Sequence, residues 1–107
     1  METLHYKNLK SEDVLYCEAD SNYTIIHLVK SKKIVRCKTL STVAEELQGA
    51  NLLRIHSKYL VNTQHISKIS RNKLRVFLID DNIIPVARRR ISVINALIAG
   101  NVFNNML

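Results

Sequence analysis

The sequence predicts a mostly β fold: short antiparallel strands in small sheets, with two short helices. Three observations carry this. Most apolar residues fall in runs of about four to eight, rich in β-branched and aromatic types and separated by polar turns. Only two stretches repeat apolar residues at helical spacing, one near the middle and one near the end. The length of 107 residues, 47% hydrophobic and 23% charged, fits one folded domain rather than a disordered tail.

Taken in order, residues 13–20 (DVLYCEAD) and 23–29 (YTIIHLV) read as two strands around a tight Ser21-Asn22 turn. The polar run 30–33 turns the chain into a third strand at 34–38, completing a meander. Leu40, Val43, Ala44 and Leu47 then lie on one face of a short helix. Thr42 and Glu45 fit a capping box, and Gly49 a C-terminal stop. Residues 52–56, 59–62, 65–70, 74–79 and 83–87 read as five further strands. Asp80-Asp81-Asn82 turns between the last two, and Pro85 places the final strand at a sheet edge or at the start of pairing. Ile91, Ile94, Leu97 and Ile98 form the last helical stripe, stopped at Gly100 and followed by a tail prone to fray. With two Gly and one Pro, little marks the loops, so the boundaries are soft.

The net charge of +7 is unevenly placed. Residues 1–53 hold seven basic and seven acidic side chains, while residues 54–107 hold nine basic and two acidic. A basic field of this kind suits a polyanion and says nothing about fold. No apolar run approaches the ~20 residues of a membrane-spanning helix, and the opening METLHYKNLKSED is too polar for a signal peptide. Two cysteines, Cys17 and Cys37, on what read as neighbouring strands, are expected as buried small hydrophobes in a reduced cytoplasm.

Catalytic patterns are missing. His5, His27, His56 and His65 form no metal-ligand spacing, and Asp80-Asp81 is accounted for by turn chemistry. Neither cysteine has the setting of a nucleophile, and no Gly-rich phosphate loop exists. The expectation is a non-enzyme with no cofactor and no metal.

Three clusters are suited to polar binding. Residues 54–62 (RIHSKYLVN) crowd Arg54, His56, Ser57, Lys58 and Asn62 around a turn, a donor set able to contact phosphates and base edges. Asn62 fits a turn-closing role equally well. Arg88-Arg89-Arg90 opens the last helix, where cations oppose the helix dipole, a local cost without structural return. Arginine can fork onto guanine O6 and N7. Asn22 and Tyr23 at the first hairpin tip add amide and phenol groups, and Asn22 could read adenine. With no long basic helix, a helix-turn-helix reader is disfavoured, and loops or strand ends must make the contacts.

These residues resemble the LytTR DNA-binding domain of bacterial response regulators, along residues 12–98. The match lies in EDVLYCEADSNYT (12–24), RCKTLS (36–41), LLRIHSKYLVN (52–62) with HISKI (65–69), and IPVARR (84–89). Order and spacing together carry it. Two positions depart from the family: Ser57-Lys58 stand where Arg-Ser usually follows the histidine, and Ala87 where Ser usually precedes the arginine pair.

The resemblance implies a ten-stranded-type, mostly β fold and sequence-specific duplex DNA binding by a transcriptional regulator of two-component systems. Family members place loops in successive major grooves, commonly as pairs on direct repeats, so a homodimer on DNA is within expectation. Carried over, the contact loops match Asn22 with Tyr23, then His56, Ser57 and Lys58, then Arg88 with Arg89. Lys58, Lys68, Arg71, Lys73 and Arg75 are expected to add phosphate attraction, and Asn22, Ser57 and Arg88 to meet base edges. The domain is expected to span residues 1–107 with its core at about 12–99. The receiver domain that usually precedes it is outside this sequence, leaving an excised output module and a free-standing regulator both open. A small basic RNA-binding β-domain and a protein–protein interaction module are the alternatives.

Overall fold

Strand β1 (Val14–Asp20) decides the architecture, because four successive residues, Val14 to Cys17, are buried. A strand with one wet face alternates; a run buried on both sides belongs in the middle of a covered sheet. The computed structural model, which describes residues 9–47 and 50–100, places it there. One sheet is five-stranded and antiparallel, in the order β3-β2-β1-β5-β4, where β2 is Tyr23–Leu28, β3 Lys33–Arg36, β4 Leu52–His56 and β5 Tyr59–Asn62. The second sheet holds β6 (Ile66–Ile69), β7 (Arg75–Leu78) and β8 (Ile83–Pro85) in sequence order.

Both faces of the large sheet are covered. Helix α1 (Leu40–Glu46) lays Leu40 and Val43 against Val14, Cys17, Ile26, Leu28 and Leu60. On the other face Leu15, Tyr16, Ile55 and Val61 pack on the small sheet and on Ile94 of α2 (Ile91–Ala99). The small sheet contributes alternate residues, Val76 and Leu78 from β7 and Ile84 from β8.

The meander, the Asp80 turn and the edge position of Pro85 agree with expectation. Asn82 N–H donates to Asp80 Oδ1 at 3.2 Å, and Asp81 takes a positive φ of 72°. The described residues form eight strands. Three local expectations are corrected. Helix α1 is capped by Thr39, whose hydroxyl accepts from Thr42 N–H at 3.2 Å, so it begins a turn earlier than the Thr42–Glu45 box implied. Gly49, the expected stop, lies outside the described residues. His65 leaves the strand for a 3₁₀ turn, Thr63–His65, nucleated by Asn62. Cys37 is exposed, past the end of an edge strand and separated from β1 by β2.

Cys17 is the buried cysteine, and burial pushes its thiol up to about 12 from 9.0. Tyr16 also rises to about 12 from 10.0, by burial first and then by the charges of Glu18 and Asp80. Both groups deprotonate earlier in the unfolded chain, so the native state holds more protons above the unfolded values. Stability is therefore expected to be insensitive to these groups below about pH 9 and to fall above it. The fall is up to about 1.4 kcal/mol per pH unit for each group. Urea midpoints measured between about pH 8 and pH 11 check this; a level midpoint would contradict it.

Candidate nucleic-acid interface

The first cluster sits on a two-residue turn that closes β1 onto β2, with Asp20 opposite Tyr23. Ser21 adopts the positive φ (55°) that such hairpins require, which costs a non-glycine residue about 1 kcal/mol. Asn22 is exposed beside it, and Tyr23 is 49% exposed.

The second cluster, Ser57-Lys58, joins β4 to β5. Strand β5 runs beside β1, with Glu18 opposite Tyr59, and Ala19 N–H donates to the Lys58 carbonyl at 2.8 Å. The two turns therefore share one end of the large sheet. The His56 Nδ1 accepts from Lys58 N–H at 3.1 Å, and its ring leans on Tyr59 at a centroid distance of 5.4 Å. With Nδ1 accepting, the neutral ring carries its proton on Nε2, which makes His56 a donor toward solvent.

The third cluster arrives from the small sheet. Val86 N–H donates to the Leu74 carbonyl and Ala87 N–H to the Ile55 carbonyl, each at 2.9 Å. The chain beyond β8 is thus tied between the β6–β7 tip and β4. Arg88–Arg90 then form a 3₁₀ turn leading into α2. Arg88 and Arg89 are exposed; Arg90 is half-buried and its Nε meets no acceptor among the described residues. Arg71, Lys73 and Arg75 occupy the β6–β7 tip at this end, with Arg71 and Arg75 exposed and Lys73 half-buried at φ 63°. Lys68 stands exposed farther back, on β6 opposite Phe77.

Asn62 is resolved differently. It is fully buried, donates to the Ser11 and Val14 carbonyls at 2.9 and 2.8 Å, and accepts from Gln64 N–H at 2.9 Å. It ties the chain before β1 to the end of β5 and is no part of an interface. His27 and His65 are likewise engaged, with Glu18 and with the Glu12 carbonyl, each at 2.6 Å. Among the described residues no group of three His, Cys, Asp or Glu side chains is placed to hold a metal.

Arg54 acquires a role that its residue type alone did not reveal. Its Nε donates to the His56 carbonyl at 2.9 Å and its terminal nitrogen to the Ser57 carbonyl at 2.6 Å, so one guanidinium clamps the turn carrying the second cluster. Burial, and then the charge of Arg90, lower its pKa. The signal in the sequence is Arg54 two residues before His56 in a strand, but the β-bulge between them governs where the fork lands. A lysine cannot span both carbonyls. Arg54→Lys is expected to quicken hydrogen exchange at the Lys58 amide by about tenfold, ~1.4 kcal/mol, while the global unfolding midpoint moves little. Unchanged exchange would show that the clamp does not order the turn.

The LytTr DNA-binding domain family matches residues 5–99. The fold is similar to a solved LytTr DNA-binding domain, described as that of a methyl-accepting/DNA response regulator from Bacillus cereus. Its TM-score is 0.71 at 20% identity, with 84% of each chain covered. No curated protein sequence matches significantly. No helix among the described residues is long and apolar enough to cross a membrane.

Proposed function

The chain belongs to the LytTR DNA-binding domain family, and from that membership we propose that it is a transcriptional regulator's output module that reads duplex DNA sequence-specifically through three turns. One observation carries the reading: turns far apart in sequence, holding Asn22 with Tyr23, His56 to Lys58, and Arg88 with Arg89, come to one end of the molecule. Hydrogen-bond donors of different kinds fit base edges in the major groove. Arg71, Lys73 and Arg75, on the adjoining tip, and Lys68 behind it fit phosphates, which set register and affinity without reading sequence.

Two copies side by side on a direct repeat would present this set to successive grooves, as a single domain in the cytoplasm acting without cofactor or catalysis. Selection of bound duplexes from fragmented bacterial genomic DNA tests the reading. The expected result is enrichment of a short motif repeated in the same orientation, with binding that weakens steeply as salt rises. Enrichment of nothing would sink it. Among the described residues Tyr23 is the exposed aromatic at this end, whereas single-strand binders stack bases on several. Single-stranded RNA is accordingly expected to compete poorly with the selected duplex.

A further inference from the structure

An open concavity of about 420 Å³ lies between the first two turns. Its walls are the β1–β2 tip with Asn22 and Tyr23, the β4–β5 side with Arg54 and Ser57, and a third segment, Cys37–Thr39, that connects β3 to α1. This third segment is held in place from beneath. Thr24, fully buried behind the hairpin tip, donates its hydroxyl to the Lys38 carbonyl at 2.6 Å. Thr39 is fixed as the cap of α1. The Lys38 side chain is exposed at the rim.

The electrostatics point one way. None of the described residues lining the concavity is acidic, while Lys38 and Arg54 are both cationic. Near Arg54 stands Arg90, close enough to lower the Arg54 pKa by repulsion and with its own Nε lacking an acceptor among the described residues. Positive charge is thus concentrated here without a neutralising carboxylate in the lining, surrounded by hydroxyl and amide groups able to donate. An anion would relieve the repulsion and take up these donors.

We propose that this concavity seats a phosphate of the DNA backbone, with Lys38 supplying the pairing charge and the Cys37–Thr39 segment acting as a further element of the interface. The proposal rests on the DNA-binding reading above and adds a site in the half of the chain whose formal charges cancel. A duplex is the occupant because the concavity is open and lies between two turns assigned to the same duplex. A strand passing between them brings its backbone across it.

The test is Lys38→Gln, with binding measured across a salt series on a duplex enriched by the unmodified protein and on a scrambled duplex. The Lys38 side chain is exposed, so the fold should be unaffected, checked by an unchanged unfolding midpoint. Loss by the same factor on both duplexes is expected, with the slope of log affinity against log salt reduced by about 0.9. An unchanged slope overturns the seat, and so does a loss confined to the enriched duplex, which would make Lys38 a base contact. Inorganic phosphate titrated into the DNA-free protein separates the sources. Saturable amide shifts at Lys38 and Ser57 below about 1 mM, alongside an unchanged slope on DNA, would assign the concavity to a small anion instead. Failure of the unmodified chain to bind any duplex at low salt would remove the DNA-binding reading and the seat with it.

Discussion

Replacing Asn62 with alanine is expected to lower the free energy of unfolding by about 3 kcal/mol. The side chain is fully buried and makes three hydrogen bonds, two as donor to the Ser11 and Val14 carbonyls and one as acceptor from Gln64 N–H. Alanine leaves these three backbone groups without their partner, the Val14 carbonyl fully buried and the Ser11 carbonyl and Gln64 amide part-buried. A buried group left so costs about 1–3 kcal/mol. Relaxation of the 3₁₀ turn at Thr63–His65 and water at the part-buried groups recover part of this, which places the sum at the low end, about 3 kcal/mol. Asn62→Asp is expected to be worse than alanine, because a carboxylate cannot donate to two carbonyls and would be buried without a cation. Urea unfolding of the three proteins checks the order. An alanine variant within about 0.5 kcal/mol of the parent would show that Asn62 is not the tie between the chain before β1 and the end of β5.

Arg88→Ala is expected to cost about 1–3 kcal/mol on a selected duplex and to relax preference at one base position. Arg88 is exposed in the turn held between β4 and the β6–β7 tip, without an acidic partner among the described residues, and its planar fork suits guanine O6 and N7. The turn is anchored through the Ala87 and Val86 amides rather than through the arginine side chain, so the variant should fold as the parent does. Affinities measured on the selected duplex, on its single-base variants and on a scrambled duplex separate the outcomes. An equal loss on every duplex would make Arg88 a phosphate contact, and no loss would remove it from the interface.

Much of the fold was legible because its signals are local. Strand runs, the Ser21-Asn22 hairpin and the Asp80 turn follow from side-chain type and from the two-residue period of a pleated strand. The errors were also local in cause. Thr39 and Thr42 are both good helix caps, and the Cys37 setting depends on where β3 ends. The charge split located two of the three clusters but passed over Lys38, since the acidic and basic residues of the first half cancel. Cancellation in a sum does not imply mixing in space, and the lining of the concavity is cationic all the same.

Residue type and spacing were enough to establish a mostly β domain, a family resemblance and three donor-bearing turns. They could not establish that these turns meet, nor separate Asn62 from the residues around it. Convergence follows from β1 pairing with both β2 and β5, and from the Ala87 amide reaching β4. Asn62 bonds to residues 51 and 48 positions away, a partnership that no local pattern encodes. Periodicity and turn preference are set by neighbours along the chain, whereas strand order and the clamp of Arg54 are set by which surfaces pack together.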